Sequence, residues 1–187
     1  SRTGWSGELG YELFLQDSRY GNELWEKVAD AGKEFGIAPI APSAIRSIEG
    51  GILSYVSDIQ RYDNPFTIGM ERLVDLDMET DFIGKDALRK IKSNGPERKL
   101  VGVEIAGEPL AGNEEYWTVF HQGQAVGEIT RCAFSPRLKK NIGFANVPTG
   151  LARTGEELQV DTKVATVGAV VVDTPWFKSL KKIKRPS

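Results

Sequence analysis

The first 95 residues carry the apolar spacing of one strand and several helices. Alternation of apolar and polar residues over 11–15 predicts a β-strand. Apolar residues at helical spacing over 24–29 predict a helix that places Trp25 in the core. Glycines follow and end that helix. Two further short helices are predicted, 44–49 with Ser43 as its N-terminal cap, and 83–91.

The pattern changes at residues 93–96, a Ser-Asn-Gly-Pro run where we place a domain boundary. From this point short strand-like runs are separated by Gly, Pro and Asn turn signals, as in a small antiparallel barrel or sandwich. We therefore expect an α+β unit at 1–95 and a β unit with a basic tail at 96–187. The expected strands are 100–105, 117–121, 125–131, 142–147, 157–160 and 169–172.

Composition and charge argue against several classes of function, namely nucleic-acid binding, a membrane-spanning protein and a His-rich metal site. The 187 residues are 40% hydrophobic and 27% charged, and the net charge is −2. This balance is that of a globular protein without a basic field for nucleic acid, and no apolar run is long enough to cross a membrane. A single histidine, His121, excludes a His-rich metal site, so we expect no metal. The lone Cys132 cannot form an internal disulfide, which fits a cytoplasmic location.

The most informative chemistry lies in the first turn of the chain. Gly4, Gly7 and Gly10 allow the backbone to approach a ligand closely. Trp5 adds a flat apolar face, and Glu12 adds a carboxylate on the strand face opposite its neighbours. An aromatic plate beside a carboxylate suits a flat heterocycle with an amidine-like edge, such as a pterin. The alternative is an ordinary hairpin with one solvated glutamate.

Several motifs along the chain, taken in order, resemble those of one known protein family. The first turn, Arg-Thr-Gly-Trp-Ser-Gly-Glu-Leu-Gly-Tyr-Glu, resembles the Arg-Thr-Gly-Tyr-Thr-Gly-Glu-x-Gly-(Phe/Tyr)-Glu motif of the glycine-cleavage T-protein (aminomethyltransferase) superfamily. The resemblance covers nearly the whole chain in family order. It continues through Ile45–Gly51, Asn64-Pro65, Asp81–Leu88, Arg98–Gly102, Ser135-Pro136 and Asn141–Gly143.

The resemblance implies a folate-dependent one-carbon enzyme with a barrel domain at the position of the predicted strands. Tetrahydrofolate is then the cofactor, and Glu12 anchors the pterin, because a carboxylate accepts two hydrogen bonds from the aminopyrimidine edge. Trp5 replaces the tyrosine usual in aminomethyltransferases. The family's usual arginines in the segment equivalent to 42–49 are displaced or missing here. Arg46 therefore pairs with the folate tail, with a substrate carboxylate, or with Glu49 at helical spacing.

Within the superfamily, three features resemble dimethylsulfoniopropionate demethylases: Trp5, residues 65–74 and residues 130–143. An indole face attracts a sulfonium more strongly than a phenol does. We therefore predict methyl transfer from dimethylsulfoniopropionate to tetrahydrofolate, giving 5-methyltetrahydrofolate and methylmercaptopropionate. Trp5 and Phe14 are the predicted substrate contacts, although some family members carry a tyrosine at the position of Phe14. The expected partner is thus a small-molecule methyl donor.

Three alternatives stay open. A glycine-cleavage aminomethyltransferase would retain the tyrosine and the Arg-Asp pattern that this chain lacks. A non-catalytic folate-binding protein of iron–sulfur maintenance would carry a cysteine in a Lys-Gly-Cys motif where residues 81–87 stand. A piece of a flavin-linked dimethylglycine or sarcosine dehydrogenase would have its flavin motif elsewhere.

Two expectations concern the reach of the chain and its cationic residues. The chain opens inside a motif, and the superfamily normally carries a long folate-binding portion before it. We therefore expect that the chain is the C-terminal half of a larger protein, that the catalytic aspartate lies outside it, and that it has little activity alone.

A run of cationic residues is interpreted as a solvated loop. The alternative is that it borders the folate tail. Cys132, close to this run, is interpreted as a small apolar filler. That run comprises Arg131, Arg137, Lys139 and Lys140.

Overall fold

Six antiparallel strands close into a barrel in the second half of the chain. The protein is described here by a computed structural model over residues 4–177. The strands follow the order β1-β4-β3-β2-β5-β6 around the barrel, and every neighbouring pair is antiparallel. The predicted barrel is thereby confirmed. Its strands are β1 (Arg98–Ile105), β2 (Trp117–His121), β3 (Gln124–Ser135), β4 (Lys140–Pro148), β5 (Glu157–Asp161) and β6 (Thr166–Val172). The predicted basic tail lies outside the described residues.

Strand β4 is buried on both faces and joins two apolar clusters. Ala145 and Val147 face the barrel interior, where they pack in the main core with residues such as Ile129 and Val160. Ile142 and Phe144 point the other way and pack with Ile48 in a second cluster outside the barrel. This second cluster attaches the helical part of the chain to the barrel wall.

Three α-helices precede the barrel, as the apolar spacing predicts. They are α1 (Gly21–Gly32), α2 (Ala44–Glu49) and α3 (Lys85–Asn94). The hydroxyl of Ser43 caps α2 by accepting a hydrogen bond from Arg46 N at 3.3 Å. Helix α2 lies on strands β3 and β4, and its Ser47, Ile48 and Glu49 are buried.

Two expectations for the first forty residues are wrong. Residues 11–15 form no strand, and Leu13 and Phe14 are 63% and 79% exposed. Alternation sets the side-chain directions, but a strand also needs a hydrogen-bonding neighbour, and no described residue pairs with this segment as a strand. Trp25 is 61% exposed instead of buried, because α1 packs mainly against the 3₁₀ turns on either side of it and buries none of its residues.

Candidate functional site

The glycine-rich turn packs its backbone against the end of helix α2. Gly7 has a φ of +69°, and a Cβ atom added to it would lie 3.0 Å from Gly50 Cα. A Cβ atom on Gly50 would lie 3.1 Å from both N and Cα of Gly7. Side chains at either position would separate the two backbones, and the positive φ adds strain for any residue other than glycine. The two glycines therefore hold Trp5 and Glu8 beside α2.

Arg131 on strand β3 ties the helical part of the chain to the barrel. Its guanidinium lies 2.6 Å from the Asp58 carboxylate, and it donates 2.8 Å hydrogen bonds to Ser47 Oγ and to the carbonyl of Ile52. Thr130 Oγ1 donates to the same carboxylate at 2.8 Å. These residues form the Arg131 network. A buried ion pair is tolerated when further hydrogen bonds satisfy its charges, and this one has them.

The Arg131 side chain also lies between two aromatic rings. Its guanidinium carbon is 5.8 Å from the centroid of the Trp5 ring and 5.7 Å from that of Phe144. The side chain is only 13% exposed, so the interpretation of Arg131 as part of a solvated loop is wrong. The ring of Trp5 consequently has a protein cation within cation–π distance.

A second polar contact lies at the C-terminal end of α2. Ser135 Oγ donates a 2.6 Å hydrogen bond to Glu49 Oε1 and accepts one from the amide of Leu138 at 3.1 Å. The Glu49 side chain is 4% exposed, and among the described residues no hydrogen bond reaches its second oxygen. That oxygen lies 3.7 Å from Arg46 Nη1. Arg46 therefore makes the intrahelical pair that its spacing from Glu49 suggests.

Glu8 joins Arg46 to a loop of the barrel. Its Oε1 atom lies 3.4 Å from Arg46 Nη1 and 2.9 Å from Arg137 Nη1. The Arg137 guanidinium carbon also lies 3.8 Å from the centroid of the Phe177 ring. All three charged side chains are between 40% and 47% exposed. A ligand carboxylate that entered here would meet two guanidinium groups and would compete with Glu8 for them.

The structure brings two of the four predicted site residues to one place. Trp5 and Arg46 lie on the two sides of the contact between the glycine-rich turn and α2, and Trp5 is 40% exposed. Glu12 and Phe14 follow in exposed backbone of the same turn segment. The roles of Glu12, Trp5, Arg46 and Phe14 in binding remain predictions.

Two other candidates have structural roles in the described region. Cys132 is buried in the barrel core, and burial raises the pKa of its thiol from 9.0 to about 12. This agrees with its interpretation as a small apolar filler.

The histidine of the chain lies beside a backbone carbonyl: His121 Nδ1 is 3.3 Å from the carbonyl oxygen of Glu157. Among residues 4–177 no group of three or more His, Cys, Asp or Glu side chains is arranged to hold a metal, and no helix there is long and apolar enough to cross a membrane.

The sequence does not predict four residues that take part in these contacts: Asp58, Ser47, Ser135 and Glu8. Their partners lie far along the chain, and Thr130 and Asp58 are 72 residues apart. One signal was present in the sequence. Arg131 ends the predicted strand 125–131, and a cation that a strand buries needs a partner.

Comparison with known proteins gives two adjoining domain matches. Residues 98–178 match the domain described as the glycine cleavage T-protein C-terminal barrel domain. Residues 1–78 match the domain described as the GCVT N-terminal domain. The barrel match coincides with the six observed strands.

Several of the relatives found are named aminomethyltransferases. That of Symbiobacterium thermophilum is 38% identical over 183 residues, which are 96% of this chain and 48% of the relative. That of Acidobacterium capsulatum is 37% identical over 97% of this chain and 49% of its own length. The chain thus spans about half the length of the curated relatives it matches. The crystal structure of glycine cleavage system aminomethyltransferase T from Bartonella henselae shares the fold, with a TM-score of 0.85 at 20% identity, over 96% of this chain and 49% of that one.

Proposed function

The chain belongs to the glycine cleavage T-protein family, since its two domain matches cover residues 1–78 and 98–178, and from this premise we propose that it contributes a tetrahydrofolate site to a one-carbon transferase. The observation that carries the proposal is the packing of Gly7 against Gly50. It sets the ring of Trp5 and the cation of Arg46 beside one glycine-rich turn that continues to the carboxylate of Glu12.

The described residues fit a folate in their chemistry. Glu12 is an exposed residue, and a carboxylate can accept hydrogen bonds from the N–H groups of an aminopyrimidine. Trp5 offers a partly exposed ring against which a flat heterocycle packs. Arg46 and Arg137 hold Glu8 between them, and a carboxylate of the folate tail would take its place. Tetrahydrofolate supplies the N5 nitrogen that accepts the one-carbon unit. The chain's own residues orient the ligand, and orientation removes much of the entropy cost of a two-substrate step.

We propose an aminomethyl group as the donor. The relatives at 36–38% identity over most of this chain are named for that group. A sulfonium, as in dimethylsulfoniopropionate, is the second candidate, because Trp5 presents an indole that is 40% exposed. The Arg131 guanidinium 5.8 Å from this ring weakens the case for it, since a second cation near the same indole would be repelled by the first.

The two candidate donors give folate products in which the transferred carbon has different oxidation levels, so the product identifies the donor. An aminomethyl carbon leaves a methylene-level folate, whereas a sulfonium methyl leaves 5-methyltetrahydrofolate. The test joins the half of the Symbiobacterium thermophilum aminomethyltransferase that the match does not span to the front of this chain. The joined protein is then incubated with tetrahydrofolate and each donor, and the folate product is identified by mass. We expect a methylene-level product from a protein-bound aminomethyl donor. Methyl transfer from dimethylsulfoniopropionate alone would favour the second candidate, and no product from either would contradict the proposal.

A further inference from the structure

The carboxylate of Glu8 lies between two arginines that come from different parts of the fold. Its Oε1 atom is 2.9 Å from Nη1 of Arg137, in the turn between β3 and β4, and 3.4 Å from Nη1 of Arg46 on α2. Guanidinium groups bind carboxylates especially well. All three side chains are at least 40% exposed, so a carboxylate from solution can reach both arginines. The arrangement is that of a carboxylate site filled by the protein's own side chain.

Arg46 has a second anchor that does not depend on Glu8. The Glu49 side chain is 4% exposed, and its Oε1 atom is fixed by a 2.6 Å hydrogen bond from Ser135 Oγ. Its Oε2 atom lies 3.7 Å from Arg46 Nη1, and no hydrogen bond within residues 4–177 reaches it. A buried carboxylate has no water to replace a lost cation, so Glu49 keeps Arg46 at the site whether or not Glu8 is there.

Arg137 is likewise held by a contact that does not involve Glu8. Its guanidinium carbon lies 3.8 Å from the centroid of the Phe177 ring, which is within cation–π distance. The amide of Phe177 donates a 3.4 Å hydrogen bond to the carbonyl of Glu49. Both arginines therefore stay in place through contacts that meet at the C-terminal end of α2.

The side chain of Glu8 is easier to displace than either arginine. It is paired with partly exposed arginines, and such pairs contribute little to stability because water competes for both charges. The carboxylate is hydrated as soon as it turns away from the arginines. A ligand carboxylate that meets the same two guanidinium groups therefore replaces Glu8 at little cost.

We infer that Glu8 is a displaceable occupant of a carboxylate site formed by Arg46 and Arg137, and that Glu49 is the positioning residue of Arg46 in that site. The ligand is a molecule with a carboxylate. For its identity the inference rests on the proposed function, since the carboxylate is that of the folate tail or that of a donor such as dimethylsulfoniopropionate. Because Glu8 competes with the ligand, its removal strengthens binding, whereas removal of a ligand contact weakens it.

The first test uses the chain itself, with propionate as the probe. Nitrogen-15 NMR follows the side-chain Nε–H signals of Arg46 and Arg137 during the titration. In Glu8→Gln both signals should shift at a propionate concentration about threefold to tenfold lower than in the native chain, since the competing carboxylate is gone. Glu23→Gln is the matched control, because Glu23 is an exposed glutamate paired with Lys27 at 2.7 Å, and it should leave the titration unchanged.

The second test uses the joined protein to identify the source of the carboxylate. Calorimetry compares two pairs of ligands, tetrahydrofolate with 6-methyltetrahydropterin, and dimethylsulfoniopropionate with trimethylsulfonium. Glu8→Gln should strengthen binding of the carboxylate member of one pair by about threefold to tenfold and leave the other member unchanged. Arg137→Gln and Glu49→Gln should weaken binding of that same member by about threefold or more. Equal weakening of both members by Glu49→Gln would show that Glu49 has no positioning role.

Three results would overturn the inference. Propionate that shifts neither arginine signal in Glu8→Gln would show that the two arginines form no carboxylate site. An unchanged or weaker affinity for every bound carboxylate ligand in Glu8→Gln would show that Glu8 is no competitor. An equal gain in Glu23→Gln would show a general effect of charge. Failure of all four ligands to bind would contradict the proposed function alone, because the propionate titration uses neither folate nor a donor and decides the inference separately.

Discussion

The guanidinium carbon of Arg131 lies 5.8 Å from the centroid of the Trp5 ring. This contact joins strand β3 of the barrel to the glycine-rich turn, 126 positions earlier in the chain by subtraction of the two residue numbers. By the resemblance to the family, Trp5 replaces the tyrosine usual in aminomethyltransferases, and Arg131 lies in residues 130–143, which the sequence also sets apart from those enzymes. The two departures touch each other, so they are best understood as one structural feature.

Arg131→Met should destabilise the protein strongly. It removes the cation from Asp58, whose side chain is fully buried, and leaves a buried carboxylate without its ion pair. We expect a loss of about 3–5 kcal/mol in the free energy of unfolding, measured by urea denaturation. The control is Arg137→Met, which breaks an ion pair with partly exposed Glu8 and should cost less than about 1 kcal/mol. Equal losses from the two variants would show that the Arg131 network is not a stabilising element.

The contact between Arg131 and Trp5 should appear as a coupling energy. In a cycle of Trp5→Leu, Arg131→Met and the double variant, we measure the free energy of unfolding of each protein. We expect the loss in the double variant to be smaller than the sum of the two single losses by about 0.5–1 kcal/mol. The reason is that either single change already removes the cation–π contact. Fully additive losses would mean that the ring and the guanidinium are neighbours without an energetic interaction.

Gly7→Ala should disturb the turn, whereas Gly4→Ala should not. An added Cβ at position 7 meets Gly50 Cα at 3.0 Å and forces a side chain into positive φ. We expect a cost of about 1–2 kcal/mol in urea denaturation. An added Cβ at Gly4 meets no atom within 4 Å, so this variant is the control. If both variants were neutral, the turn would not be fixed to α2 as described.

The stability of the chain should fall at high pH through Cys132. Burial raises the pKa of this thiol from 9.0 to about 12, so between these values the folded state holds a proton that the unfolded state has lost. The stabilisation is complete below about pH 9 and is lost as the pH rises toward 12. Urea denaturation at pH 8 and 10.5 should therefore show a larger drop for the native chain than for Cys132→Ala. Equal drops would contradict the raised pKa.

The elements that the sequence predicts well are those whose causes are local. Ser43 caps α2 because its hydroxyl needs only an amide three residues away, and the barrel strands are marked by turn signals between short apolar runs. The closure of the barrel and its strand order depend on pairings between distant segments, such as β1 with β4, and no local signal gives them.

The errors have the same physical origin. Trp25 and residues 11–15 have the pattern of buried structure, but a pattern states which side would be buried and not what covers it. The sequence predicts a loop cation at Arg131, because its partner, Asp58, lies 73 positions away by subtraction of the residue numbers, outside any local window. The contact of Glu8 with both Arg46 and Arg137 likewise depends on the tertiary fold.

The most direct test of the account is tetrahydrofolate affinity measured by calorimetry in the joined protein, with Glu12→Gln compared with the native residue. The change keeps the shape of the side chain, removes its charge and replaces one acceptor by a donor. Loss of a charge-assisted hydrogen bond should weaken binding by about 1.5–3 kcal/mol. Glu114→Gln, an exposed glutamate in the barrel domain, should leave the affinity unchanged. Equal affinity of the native and Glu12→Gln proteins, or no binding of tetrahydrofolate by either, would contradict the proposed site.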